Sequence, residues 1–206
     1  SFPTRRSSDL HGATIYSEEG RISEAENYPP LSELGVEEME ALTKYLKSRA
    51  VKNDVIYTSP AVRTRQSAMM ISKLFKKDYV VVDDLTSRRL GQWNGMTVGQ
   101  ILEKYPDGIQ DLLHHPNKKA DSVVEASDEF VARIKAIIDR LVEENVGNRI
   151  IIVTYPDVIQ AAICGALEIP ADKLSKIFIR TGSATQITYF EKWSSLVYSD
   201  HVPLQV

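Results

Sequence analysis

The sequence predicts a three-layer α/β/α sandwich: a mostly parallel central sheet, a C-terminal antiparallel hairpin and a small helical insertion. Three observations predict it. Apolar runs of strand length alternate with amphipathic runs of helix length, the pattern of βα units whose strands lie side by side. Residues 150–155 (IIIVTY) are apolar on both faces, as a strand covered from two sides must be. Residues 186–190 and 196–199 have strand composition and are separated by the five residues Glu191 to Ser195, which predicts a terminal hairpin.

Taken in order, the elements follow from local patterning. Residues 18–34 are polar and contain Pro29 and Pro30, which predicts a loop. After Gly35, the positions Val36, Met39, Leu42 and Leu46 fall at helical spacing, with acids early and Lys44, Lys47 and Arg49 late, as the helix dipole favours. Residues 54–59 predict a buried strand, and Pro60 marks the start of a helix through Val62, Ala68, Ile71 and Phe75. Residues 79–82 predict a further short strand. Two short helices, near Ile101 and over 109–113, are expected in an insertion at about 97–124. Phe130, Ile134, Ile137, Ile138 and Leu141 form one helix face, and 156–167 is an apolar helix packed on the sheet.

Residues 1–10 have neither the apolar segment of a signal peptide nor the alternation of a strand. Their order is also the one a common short-read sequencing adapter encodes. The expectation is a non-native leader to be left out of the fold, with a single domain at 11–206. Leu10 then carries no information about the residue native to its position.

The chain has 206 residues, 43% of them hydrophobic, and a net charge of -3. One sizeable core is expected, and neither a nucleic-acid nor a membrane partner. A single cysteine, Cys164, forms no internal disulfide and points to a reducing, cytoplasmic compartment. No cluster of His, Cys and carboxylates has metal-ligand spacing, so neither metal nor cofactor is expected.

In a sheet of this kind, ligands bind beyond the carboxyl ends of the strands. His11 and Gly12 fall where a first strand would end, Arg63 follows the strand at 54–59, and Tyr155 ends the strand at 150–155. An imidazole, a guanidinium fork and a phenol at one place suit a phosphoryl group, which arginine binds bidentately and histidine attacks. His114 and His115 in the insertion read as a solvated pair, Arg88 and Arg89 as surface charges, Asp157 as a helix cap, and Trp93 as a loop anchor.

The order and spacing of several motifs carry more. His11-Gly12-Ala13-Thr14, the Leu34-Gly35 helix start, and Ser59-Pro60-Ala61-Val62-Arg63-Thr64-Arg65-Gln66 come first. Leu90-Gly91-Gln92-Trp93-Asn94-Gly95, Glu125 with Arg133, and Thr154-Tyr155-Pro156-Asp157 follow. Together they resemble the histidine phosphatase, or phosphoglycerate-mutase-like, superfamily from Leu10 to the C-terminus. The resemblance implies that His11 is the nucleophile, forming a phosphohistidine, and that Arg63, Gly12, Ser17 and Tyr155 surround the phosphate.

The sequence also departs from the family pattern. Leu10 stands where the family has an arginine, Ser87 where it has an acid, and Tyr155 where it has a second histidine. Ser17 replaces an asparagine and Glu38 a glutamine. A positioned general acid contributes about 10²–10⁴ in rate, and a donor to the transferring group about 3–4 kcal/mol. Two functions therefore stay open. One is phosphomonoester hydrolysis through phospho-His11. The other is a catalytically impaired homologue, a pseudophosphatase, that binds a phosphorylated small molecule or a protein.

Overall fold

The computed structural model describes residues 4–203 apart from 11, 20, 22–28, 50–54 and 108–123. The predicted helix at 109–113 and the His114–His115 pair lie outside the described residues. The strands are β1 (Thr4–Leu10), β2 (Val55–Thr58), β3 (Tyr79–Val81), β4 (Ile150–Thr154), β5 (Ala184–Tyr189) and β6 (Ser194–His201). They form one sheet in the order β3-β2-β4-β1-β5-β6. The neighbours among β3, β2, β4 and β1 are parallel; β5 runs antiparallel to β1, and β6 to β5. The mostly parallel sheet and the terminal hairpin are as predicted.

The helices are α1 (Ile15–Glu18), α2 (Glu33–Ser48), α3 (Val62–Phe75), α4 (Val98–Lys104), α5 (Ser127–Glu144) and α6 (Pro156–Leu167). Two 3₁₀ turns span Gly91–Trp93 and Ala171–Lys176. β4 is buried at every position, and its alternation divides the core. Ile150 and Ile152 pack with Phe130, Ile134 and Ile138 of α5 and Val158 and Ile159 of α6. Ile151 and Val153 face the other way, toward Met39, Leu42 and Leu46 of α2 and Ala68, Ile71 and Phe75 of α3. These are the three layers. α2 starts two residues before Gly35, because the Ser32 hydroxyl accepts the Gly35 N–H at 3.2 Å and caps the helix there.

The setting-aside of residues 1–10 is overturned for 4–10. β1 lies between β4 and β5, with Arg6 opposite Ile150 and Leu10 opposite Thr154 on one side, and Thr4 opposite Tyr189 on the other. The sequencing-adapter reading finds no support in this pairing. The physical reason is that a strand ladder is made of backbone N–H and C=O groups, which every non-proline residue carries. The slot between β4 and β5 has two facing edges to satisfy, and that demand outweighs a local pattern with poor strand propensity.

Trp93 is buried with Leu90, Ile101 and Val124, the loop anchor that was expected. Among the described residues, no helix is long and apolar enough to cross a membrane.

Candidate active site

The carboxyl ends of β1, β2 and β4 lie side by side, and the segments that leave them carry most of the predicted residues. Ser59 and Thr154, both fully buried, share a 2.8 Å hydrogen bond that ties the end of β2 to the end of β4. The Thr64 hydroxyl lies within hydrogen-bond reach of the Ser59 and Ala61 carbonyls, at 2.7 and 2.9 Å, closing the turn into α3. Arg63, in the first turn of α3, is only 4% exposed, and its guanidinium lies 4.8 Å from the centre of the Tyr155 ring. Further along α3, the Ser67 hydroxyl donates to the Arg63 carbonyl at 2.9 Å and accepts the Gly12 N–H at 3.3 Å. Gln66 Oε1 accepts the Leu31 N–H at 2.9 Å. The Ser-Pro-x-x-Arg-x-x-Gln segment thus positions one arginine and fastens two loops beside it.

His11 lies outside the described residues. Its chain neighbours do not: Leu10 stands opposite Thr154, and Gly12 is bonded to Ser67 next to Arg63. Gly12 and Gly35 are in mutual contact. A Cβ on Gly12 would come within 2.0 Å of the Gly35 carbonyl oxygen, and a Cβ on Gly35 within 2.0 Å of the Ala13 oxygen. Glu38, standing for the expected glutamine, accepts the Ala13 N–H at 2.8 Å and the Thr181 hydroxyl at 3.3 Å. Ser17 holds the start of α1. Its hydroxyl donates to the Thr14 carbonyl and accepts the Thr14 N–H, both at 2.8 Å, in a capping box that starts α1.

Ser87 and Asp157 meet. The Ser87 hydroxyl donates to Asp157 Oδ2 at 2.5 Å, and the Arg88 N–H donates to the same oxygen at 2.7 Å. Asp157 was expected to cap α6. It stands on the first turn, Tyr155 being the N-cap residue; its Oδ1 accepts the Val158 N–H of that turn at 2.9 Å, while Oδ2 reaches the loop that holds Ser87. The same loop is held from behind by Glu125, whose side chain is 1% exposed. Glu125 takes a bidentate pair from Arg133, at 2.9 and 3.0 Å, and the Arg89 N–H at 3.1 Å. Arg133 also donates to the carbonyls of Asp84, Thr86 and Ser87.

Arg88, expected on the surface, is buried, with its Nε donating to the Glu125 carbonyl at 2.6 Å. Only Arg89 of that pair is exposed. The patterning missed Arg88 because its guanidinium is sheltered by residues about 35 and 70 positions away in the chain, at Glu125 and Asp157.

Burial lowers the pKa of both Arg63 and Arg88, while the charge of Asp157 opposes that shift at each. Burial raises the Tyr155 phenol, against the Arg63 charge and hydrogen bonds from the Ala61 backbone and the Thr64 side chain. Tyr155 therefore stays neutral. Its ring supports Arg63, and its hydroxyl lies at the start of α3. Two buried guanidinium groups at the carboxyl end of a sheet favour an anion. Among the described residues, no group of three or more His, Cys, Asp or Glu could hold a metal ion.

The Glu125 clamp gives a stability prediction. Burial alone would raise the Glu125 pKa, but hydrogen bonds from Arg133 and Arg89, and their charges, lower it overall. A carboxylate with a depressed folded pKa adds stability above its unfolded pKa and loses it as pH falls through the folded value. Glu125→Gln should cost about 2 kcal/mol near pH 7. In urea unfolding, the difference from the parent should stay level from about pH 6 to 8 and shrink below about pH 4. A pH-independent difference would mean that the charge on Glu125 contributes nothing.

A family model described as "Histidine phosphatase superfamily (branch 1)" matches residues 11–200. Among curated proteins, phosphoserine phosphatase 1 of Hydrogenobacter thermophilus is 26% identical over 145 residues, covering 70% of this chain and 68% of that one. Among solved structures, the alpha-ribazole phosphatase of Shigella flexneri superposes with a TM-score of 0.85 at 19% identity, covering 98% of this chain and 99% of that one. A phosphoserine phosphatase mutant of Entamoeba histolytica, solved with phosphoserine, also has a TM-score of 0.85, at 18% identity over 96% of each chain.

Proposed function

The chain belongs to branch 1 of the histidine phosphatase superfamily, and we propose that it hydrolyses small phosphomonoesters through a phosphohistidine on His11. The observation that carries this reading is Arg63. It is buried at the carboxyl end of the sheet and joined through Ser67 to Gly12, the residue after the nucleophile. Arg63 holds two phosphoryl oxygens. The His11 imidazole attacks phosphorus, a nitrogen–phosphorus bond forms, and the ester oxygen leaves with a proton as the alcohol. Water then attacks the phosphohistidine, the nitrogen–phosphorus bond breaks, and phosphate is released. No metal takes part.

Phosphoserine phosphatases among the relatives support a phosphorylated small molecule as the substrate. The lone free Cys164 supports a cytoplasmic location, and the net charge of -3 argues against nucleic acid as a partner. With leucine at position 10 and tyrosine at 155, turnover should be slow.

The test is phosphate release from phosphoserine and other small phosphomonoesters, together with trapping of acid-labile, base-stable phosphoprotein. The expected result is slow, metal-independent release that His11→Ala lowers by at least about 10³-fold, with loss of the trapped phosphate. No release and no trapped phosphate, in this chain or in its Leu10→Arg variant, would leave the phosphate-binding pseudophosphatase as the function.

A further inference from the structure

The position at which the family carries a carboxylic acid is a serine here, and a serine hydroxyl alone is too weak an acid to replace it. The structure supplies the missing carboxyl from another element. Asp157, on the first turn of α6, meets the Ser87 hydroxyl at 2.5 Å, a short hydrogen bond along which a proton can pass.

We propose that Ser87 and Asp157 form a two-residue proton relay that does the work of the absent acid, with Ser87 facing the reacting oxygen and Asp157 storing the proton. This rests on the phosphatase reading above. In the first step, protonated Asp157 passes its proton to Ser87 Oγ while Ser87 gives its own proton to the departing ester oxygen. The ester phosphorus–oxygen bond breaks as the bond from phosphorus to His11 forms. In the second step, water gives a proton to Ser87 Oγ, and Ser87 returns its proton to Asp157. The oxygen of that water bonds to phosphorus, and the His11–phosphorus bond breaks. The relay ends each cycle in the state in which it began, and Ser87 never becomes an alkoxide.

The surroundings suit this role. Ser87 is 6% exposed, so bulk water does not compete for its proton. The Ser87 loop is held rigid by Arg133 and Glu125, keeping the pair in register. The charged groups facing Asp157 are Arg63 from α3 and Arg88 from the loop, with Tyr155 at the end of β4. Asp157 acts through Ser87, so it is a positioning and proton-storing residue rather than a group in contact with the substrate.

The test compares an alkyl phosphate such as phosphoserine, whose leaving group must be protonated, with p-nitrophenyl phosphate, whose leaving group need not be. Asp157→Asn keeps the shape of the side chain and an acceptor for Ser87 but cannot take a proton. Its alkyl phosphate turnover should fall about 10²–10³-fold. With p-nitrophenyl phosphate it should still release a rapid stoichiometric burst of p-nitrophenol, and phosphohistidine should then accumulate, because water activation is lost. Adding Ser87→Glu to Asp157→Asn should restore alkyl turnover by placing the carboxyl directly. Three outcomes would overturn the relay while leaving the phosphatase intact: unchanged alkyl turnover in Asp157→Asn, an equal loss of burst and turnover, or no rescue by Ser87→Glu. Absence of any hydrolysis in the parent chain and its Leu10→Arg variant would remove the phosphatase reading and the relay with it.

Discussion

Leu10→Arg should raise kcat/KM for small phosphomonoesters by about 10²- to 10³-fold, the yield of one added donor to a transferring phosphoryl group. Backbone geometry supports the size of the effect. Position 10 is the last residue of β1 and pairs with Thr154 at the last position of β4, beside Tyr155 and one residue before His11. Arginine there faces no new backbone demand, because strand pairing uses only main-chain groups. Its cationic fork would join Arg63 on the same phosphate. Donors that act on developing charge change kcat, whereas uniform binding changes KM alone, so the gain should appear mainly in kcat. Steady-state kinetics on phosphoserine, with inorganic phosphate as a competing ligand, separates the two. A variant that binds phosphate more tightly but turns over no faster would place position 10 outside the transferring group's reach.

Gly12→Ala should destabilise the protein by about 3 kcal/mol or more and abolish activity. The added Cβ would overlap the Gly35 carbonyl oxygen at 2.0 Å, a backbone atom that no rotamer change can move aside. Relief requires the loop after β1 to lift away from the first turn of α2. That movement breaks the bonds from Ser32 to the Ala13 carbonyl, from Ala13 to Glu38, and from Gly12 to Ser67. Because Gly12 follows the proposed nucleophile in the chain, the same displacement is expected to cost activity as well as stability. For a chain of this length, thermal unfolding should come about 6–12 °C lower. A Gly12→Ala variant with unchanged melting and turnover would show that the Gly12–Gly35 crossing is not a constraint. Gly35→Ala, whose Cβ meets the Ala13 oxygen, is expected to behave the same way.

The core elements were legible because their patterns are local. The helical spacing of Phe130, Ile134 and Ile138, and the uninterrupted apolar run of β4, state which surfaces are covered. The spacing from Ser59 to Gln66 identified Arg63, since a strand, a proline and a helix start put that side chain at the carboxyl end of the sheet whatever surrounds it. β1 was not legible. Its residues carry no alternation, and their strand state comes from the two open edges of β4 and β5, which lie some 140 to 185 residues away in sequence. Nor were the partnerships of Asp157 and Arg88. An acid in the first turn of a helix reads as a cap, and adjacent arginines read as surface, until the chain folds the loop at 84–89 onto α6 and Glu125.

The sequence by itself thus determined the α/β layering, the family and the place of Arg63 at the start of α3, because these depend on periodicity and on motifs contained in short segments. Tertiary structure alone decided three other matters. It made residues 4–10 a central strand, set the Tyr155 ring against the Arg63 guanidinium, and brought the Asp157 carboxylate to Ser87. Each is a contact between segments far apart in the chain, and its energy comes from burial and hydrogen bonding that exist only once the segments meet.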